Sequence, residues 1–373
     1  MTTLTAQLQK YYDEMFPIQF VMKFLSHDKS PIWRLENREI MFTIPKVGNK
    51  ESYCVRYLTA ETEAKWRALF TQYNKFLQID VGGVFMIPPS KYESIKGRIS
   101  IAEVVKYREL IFDVDLSEYK DVRYCCGNSK RCCKKCWPLA VVAMRFVDKF
   151  VRECFGLTQL VWLFSGRRGV HCWVMDDKAG SLTQEQREAI VSYITDLRKT
   201  FRRSRNAEYH ALSEMAAHCE KDFTKFIEDQ QLFSNKERFR NLVQGMDLPS
   251  FIVREWIDSP LTEYSDFKCL AQRKRSDDDQ QLQINKRKFI LDELMMQCVF
   301  PKLDIKVTTQ LDHLLKVPFS VHPGTSMICM PLTKTQMEQF DPTAAESELN
   351  LTKCTRERIE IGIQAAIEMF SKK

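Results

Sequence analysis

The chain has 373 residues, 44% of them apolar and 28% charged, with 56 basic and 49 acidic side chains giving a formal charge of +7. That length can bury a substantial core, and the composition is that of an ordinary globular protein, which excludes a disordered or fibrous chain. The positive excess is a mild bias toward anionic partners, far short of a histone-like binder, and no stretch reaches the ~20 apolar residues that span a bilayer, so a soluble intracellular protein is expected.

Met1 to Phe16 is an amphipathic helical pattern (Leu4, Leu8, Tyr11, Tyr12, Met15) without the uninterrupted apolar segment of a secretory signal. Short strands are expected around Ile40–Ile44, Tyr53–Tyr57 and Gln78–Ile87, the last ending before Pro88-Pro89. In Glu109-Leu110-Ile111-Phe112-Asp113-Val114-Asp115-Leu116 the alternation has a period of two. Leu110, Phe112, Val114 and Leu116 share one face of a strand, and Asp113 and Asp115 project from the other, ~6.5–7 Å apart along it. Two ionised carboxylates at that range repel, and a divalent cation is the usual remedy.

Leu139 to Phe155 reads as a helix, with Val142, Phe146, Phe150 and Cys154 at i, i+4 spacing and Gly156 marking its end. Leu160–Ser165 and Val170–Met175 follow as strands joined by the hairpin turn Gly166-Arg167-Arg168-Gly169. From Thr183 to Gln244 the chain is helical and polar, which suggests an insertion outside the main sheet. Arg273–Gln281 is a charge-block loop, expected to be mobile. A helix at Phe289–Phe300 and a strand-like segment at Leu303–Val307, carrying Asp304 opposite Leu303, Ile305 and Val307, complete the pattern. The fold class is α/β in the mixed α+β sense, with a mixed sheet core.

Thirteen cysteines are many, and five lie between Cys125 and Cys136. An odd total without a signal peptide argues against a disulfide framework. Cys125-Cys126 followed by Cys133-Lys134-Lys135-Cys136 offers four tetrahedral thiolates for a structural zinc, with Cys132 as the alternative third ligand and the C-x-x-C spacing favouring Cys133. Arg123, Lys130, Arg131, Lys134 and Lys135 would help to hold the thiolates.

Paired arginines on the glycine-bracketed turn after Ser165 present two guanidinium forks with little steric cover, and His171 adds a donor two residues beyond Gly169. Such a group suits a triphosphate better than a single carboxylate. Lys316 and His322, after Asp304, are two further phosphate donors. A haloacid-dehalogenase-type phosphatase would use Asp113 as nucleophile and Asp115 as acid/base, but leaves the arginine turn, the cysteines and Asp304 without a task. A polymerase-beta-like nucleotidyltransferase wants a Gly-Ser turn shortly before the acids, and none precedes Asp113. A zinc-stabilised nucleic-acid-binding module does not explain three acids beside a phosphate-shaped set of cations.

Phe112-Asp113-Val114-Asp115, Cys125–Trp137, Ser165–Trp173 and Phe300-Pro301-Lys302-Leu303-Asp304 through His322-Pro323, in that order, resemble the small catalytic subunit of eukaryotic DNA primase, in the archaeo-eukaryotic primase superfamily. The resemblance runs from about Tyr11 to Asp341. It implies a primase-type catalytic core of mixed β-sheets flanked by helices over 1–177 and 289–345, including the zinc motif 125–136. A helical subdomain at 178–288, with a mobile loop near 271–283, and a helical tail at 346–373 would complete the chain. The implied activity is DNA-directed RNA polymerase chemistry: short RNA primers made on single-stranded DNA by two-metal nucleotidyl transfer.

By this resemblance Asp113, Asp115 and Asp304 bind Mg²⁺ or Mn²⁺, and Ser165, Arg167, Arg168, His171, His313, Lys316 and His322 line the nucleotide site. Glu39, Arg56 and Asp80 look like the family's N-terminal active-site positions, Glu39 among the catalytic residues and Arg56 and Asp80 among the nucleotide-binding ones. Implied partners are a large iron–sulfur primase subunit, the DNA polymerase alpha complex, single-stranded DNA and ribonucleoside triphosphates, in the nucleus and away from membranes. The chain departs from the family pattern by an extra cysteine in the cluster and by Pro323-Gly324-Thr325-Ser326, where a basic residue is common.

Overall fold

Residues 3–27, 31–46, 51–127, 131–201, 207–245, 250–259, 263–266 and 291–371 are described by the computed structural model. The charge-block loop expected at Arg273–Gln281, the wider mobile loop expected at 271–283 and the first two residues of the helix expected at Phe289–Phe300 lie outside the described residues. The chain divides into two compact units. One comprises Met1–Asp115, Asp148–Val191 and Leu303–Lys373, and the other Leu116–Val147 and Ser192–Lys302. Among the described residues no helix is long and apolar enough to cross a membrane.

The first unit holds two larger antiparallel sheets and a two-stranded one. β1 (Arg38–Pro45) lies between β2 (Ser52–Leu58) and β3 (Gln78–Phe85), and β4 (Val105–Tyr107) extends the sheet beyond β3. The second sheet places β5 (Leu110–Asp115) beside β7 (Gly169–Val174), then β6 (Leu160–Phe164), then the short β11 (Met330–Pro331). Three further short strands matter: β8 (Leu315–Lys316) pairs with β3, and β9 (Val321–His322) pairs with β10 (Met327–Ile328). The expected period-two pattern of β5 holds: Leu110, Phe112 and Val114 are fully buried, while Asp113 and Asp115 are partly exposed. Trp162, Phe164 and Trp173 are core residues of the second sheet.

An aromatic cluster ties the N-terminal helix Thr3–Glu14 to the first sheet: the rings of Tyr12 and Phe76, and of Phe42 and Phe76, are each 4.5 Å apart. Tyr11 and Tyr12, both fully buried, also reach the far end of the chain. The Tyr11 hydroxyl donates to the Phe319 carbonyl (2.8 Å), and the Val321 amide donates to the Tyr12 hydroxyl (3.0 Å). Burial pushes both phenol groups above their ordinary range.

The second unit is helical, as the polar stretch after Thr183 predicts. Its helices include Ala207–Asp229, Lys236–Gln244, Ser250–Asp258 and residues 291–299. Few apolar residues suffice because they recur on one side of each helix. Phe223, Phe226 and Ile227 are all buried, and Tyr264 lies 5.2 Å from Phe223 and 5.8 Å from Phe233, which is itself 5.2 Å from Phe239.

One expectation fails. Leu303–Val307 is not a strand: Ile305–Thr309 is a short helix, and Asp304 is its N-cap, accepting from the Lys306 amide. Ile305 is 51% exposed, so no buried face alternates with Asp304. An aspartate ahead of β-branched residues fits a strand pattern, but its carboxylate can bond the second amide beyond it, and that local bond starts a helix instead.

Candidate active site

β5 and β7 run side by side with Asp113 opposite His171 and Asp115 opposite Gly169. A Cβ at position 169 would stand 2.2 Å from the Val114 carbonyl oxygen, so only glycine lets the turn close against the acidic strand. Gly166, with φ +80°, makes the left-handed bend that starts the turn. Ser165 then organises it: its hydroxyl accepts from the Gly169 amide (3.1 Å) and the Arg167 amide (3.4 Å). Arg168 folds back so that Nε donates to Asp115 Oδ1 at 2.7 Å. Arg167 is partly buried, and burial together with the neighbouring Arg168 lowers its pKa.

Asp304 comes to the same strand through the backbone, its amide donating to the Asp113 carbonyl at 2.9 Å. Its carboxylate is exposed and adds to the negative field at Asp113. Burial, reinforced by Asp115 and Asp304 and opposed by Lys316, pushes the Asp113 carboxyl up to about 7. Lys316 enters on β8 opposite Asp80, and its ammonium charge is felt by Asp80, Asp113, His171 and His322. It makes no ion pair among the described residues.

Burial lowers the pKa of each histidine of this region. His171 is buried with Nε2 3.6 Å from Asp113 Oδ1, and burial plus Lys316 keeps it well below its ordinary range. Burial, then Lys316 and Arg167, pushes His322 down to about 3. Its Nδ1 accepts from the Gly324 amide, so its single proton sits on Nε2. The Pro323–Ser326 loop, which lacks a basic residue, supports the arginine turn instead: the Thr325 hydroxyl donates to the Gly166 carbonyl at 2.6 Å. Burial also lowers the pKa of His313, whose carbonyl accepts from the Arg108 guanidinium at 3.0 Å.

The three N-terminal candidates are placed differently. Glu39 is buried and paired with Arg56, with Nε to Oε1 at 2.8 Å, and Arg56 also donates to the Asp312 carbonyl. Asp80 is buried between Gln78, which donates to both its oxygens, and Lys316; burial raises its pKa. The structure thus gathers Asp113, Asp115, Asp304, Arg168, His171 and Lys316 around the end of β5. Arg167 and His322 adjoin them, and Glu39 and Arg56 form a separate pair beside the 312–313 backbone.

A family model described as DNA primase small subunit matches residues 112–334, from β5 to just beyond β11. This chain belongs to the DNA primase small subunit family. It is 31% identical over 358 residues to the DNA primase small subunit of Drosophila melanogaster, covering 91% of this chain and 79% of that protein. The Saccharomyces cerevisiae DNA primase small subunit is 27% identical over 93% of this chain and 85% of its own length. The DNA primase small subunit PriS of Thermococcus sibiricus is 24% identical over 63% of this chain and 66% of its own. The activity is accordingly that of the catalytic subunit of a primase, a nucleotidyltransferase of DNA replication. Glu39, Arg56 and Asp80 precede the residues that match the family model.

The primase chain's second unit carries the cysteine motif. Among the described residues, Cys125, Cys126, Cys133 and Cys136 form the group that could hold a metal ion, their sulfurs all within 4.8 Å of one another. The separations of 3.6, 3.7 and 3.9 Å for Cys133–Cys125, Cys125–Cys126 and Cys126–Cys136 suit four sulfurs at ~2.3 Å from one ion, which puts tetrahedral neighbours ~3.8 Å apart. Cys132 is also buried but is not one of the four, and burial together with the neighbouring Cys136 raises its pKa.

Two supports went unseen in the sequence. Gln230, fully buried, accepts from the Tyr124 and Cys125 amides at 2.7 and 2.9 Å and donates to the Lys135 carbonyl at 3.0 Å, joining both halves of the motif. The other support is a buried ion cluster at the start of β5. Arg38 grips Glu109 with two bonds of 2.7 Å, and His27 Nε2 lies 2.9 Å from the same carboxylate. The partners lie 71 to 106 residues apart in these pairs, beyond any local pattern.

Proposed function

We propose that this chain makes RNA primers on single-stranded DNA from ribonucleoside triphosphates, with Asp113, Asp115 and Asp304 as the ligands of two divalent cations, Mg²⁺ or Mn²⁺. The observation that carries this reading is geometric: Asp113 and Asp115 leave the same face of β5, and the Asp304 amide donates to the Asp113 carbonyl at 2.9 Å, which brings a third carboxylate to that strand. Bound there, the cations would acidify the primer 3′-hydroxyl and offset the charge of the triphosphate.

The remaining groups bind and orient. Arg167 and Arg168 hold triphosphate oxygens with paired N–H groups, Lys316 adds a point charge, and His322 donates from Nε2. His313 lines the same site, Ser165 holds the turn in shape, and His171 backs Asp113. Asp80 orients the Lys316 ammonium across the β3–β8 pair. Glu39 and Arg56 act together, fixing the Asp312 carbonyl and so the approach to β8.

Arg167→Ala and Arg168→Ala should each weaken triphosphate binding by about ten- to a hundredfold, the ~1.5–3 kcal/mol of a charge-assisted contact, while single-stranded DNA affinity stays near wild type. Titrating each variant with both ligands checks the assignment. A fall in DNA affinity with a flatter salt dependence, at unchanged nucleotide affinity, would move the turn from nucleotide to template.

Cys125, Cys126, Cys133 and Cys136 hold one structural Zn²⁺, and four thiolates leave it no open position for catalysis. Elemental analysis should find about one zinc per chain, lost in Cys133→Ser and kept in Cys132→Ala. A Cys132 variant that loses zinc while the Cys133 variant retains it would reverse the ligand assignment.

The relatives are named small subunits, and we infer a heterodimer with a large iron–sulfur primase subunit, working with the DNA polymerase alpha complex in the nucleus. The deciding experiment is primer synthesis on single-stranded DNA with Mg²⁺ or Mn²⁺, with and without a large subunit. Joining of ribonucleotides supports the reading, and no product under any of these conditions overturns it.

A further inference from the structure

β2 is the edge strand of the first sheet, and its pairing with β1 is irregular. Ile40 pairs with Leu58 but Phe42 pairs with Val55, so one extra residue sits on β2 in between. Arg56 and Tyr57 occupy this bulge, and Tyr57 has φ +63°. Glycine normally supplies that left-handed position, because a Cβ crowds the backbone there. A bulky side chain kept in such a conformation is a reason to look for a function, and bulges commonly re-aim side chains beside active sites.

Tyr57 itself is half-buried. One side of its ring rests on the small cluster of Phe85, Tyr92 and Val104, with Tyr92 edge-on at 5.8 Å. Two cations lie 5.2 Å from its centre: the Arg56 guanidinium and the exposed Lys96 ammonium. Arg56 is fixed by Glu39 and the Asp312 carbonyl, three residues before β8 brings in Lys316. Lys91 and Arg98 are exposed on either side of Lys96 in sequence. An aromatic ring on a strained bulge, with exposed cations near it, is the combination that takes up single-stranded nucleic acid: bases stack on the ring and cations follow the phosphates.

We propose that the Tyr57 ring is a stacking platform for a base of the single-stranded DNA template, with Lys96 moving from the ring to a neighbouring phosphate. The inference rests on the primase reading and adds a template contact on the Arg56 side of the nucleotide site.

The test titrates a fluorescein-labelled oligodeoxythymidylate into the full chain and its variants by fluorescence anisotropy, with melting temperatures alongside. Tyr57→Ala and Tyr57→Gly should lose about five- to a hundredfold in affinity, the latter without backbone strain, while Tyr57→Phe stays within about twofold of wild type. Lys96→Ala should weaken binding less and reduce the salt slope by about one counterion. Nucleotide affinity should be unchanged in all four. Wild-type affinity in Tyr57→Ala would overturn the proposal, as would a loss that follows a falling melting temperature in the Ala, Gly and Phe variants alike. A wild-type chain that binds no oligonucleotide would instead remove the template reading itself, so the two failures are distinguishable.

Discussion

On the two-metal proposal, Asp113→Asn should abolish ribonucleotide incorporation, lowering the rate by ~10³-fold or more, because the chemical step would lose a ligand of cations worth several kcal/mol of transition-state charge stabilisation. Asp115→Asn should do the same. The fold should survive. Asp113 lies on a strand whose buried face is entirely apolar, and its charged form is disfavoured by burial and by two neighbouring carboxylates. Melted without divalent cations, the Asn variant should match or exceed wild type. Loss of activity with a collapsed melting temperature would make Asp113 a structural residue. Retained incorporation in an Asp113, Asp115 double variant would end the two-metal proposal.

Glu109→Gln should destabilise the first unit by about 3–5 kcal/mol, because it leaves Arg38 buried without its counter-charge. Burial alone would raise the Glu109 carboxyl, but the Arg38 charge, with His27, outweighs it and holds the group well below the carboxylate range. A depressed folded-state pKa contributes stability that is complete above the unfolded value of ~4.3 and is lost as pH falls toward the folded one. The difference between wild type and the Gln variant should therefore be constant from neutral pH down to about 4.3 and narrow below it. Urea unfolding across that range measures it. A difference that widens on acidification would show that Glu109 is neutral in the folded protein.

Legibility in the sequence followed the reach of the interactions. The β5 acids were readable because period two is written in consecutive residues, and the cysteine motif because its spacing is local. The arginine turn was readable too, but its grip on Asp115 was not, since Asp115 and Arg168 meet only through strand pairing. Asp304 was assigned to the site by a strand argument that fails, and an amide bond to the Asp113 carbonyl brings it there instead. Gln230 and the Arg38–Glu109–His27 cluster left no trace, because a lone polar residue looks the same in sequence whether it faces water or binds a distant partner. Tyr57 read as an ordinary strand tyrosine, since a bulge appears only when two strands are aligned.

The fastening of both ends of the first unit has a consequence for synthesis on the ribosome. Asp304, Lys316 and His322 all emerge after Leu303, and their segment is secured by Tyr11, Tyr12 and the Ile79 amide, which donates to the Ser320 hydroxyl at 2.9 Å. A nascent chain therefore displays Asp113, Asp115 and the arginine turn long before the partners that complete them exist. A chain that ended before Leu303 would keep the packing of Tyr12 on Phe70 and Phe76 but lose the bonds that tie Tyr11 and Tyr12 to Phe319 and Val321.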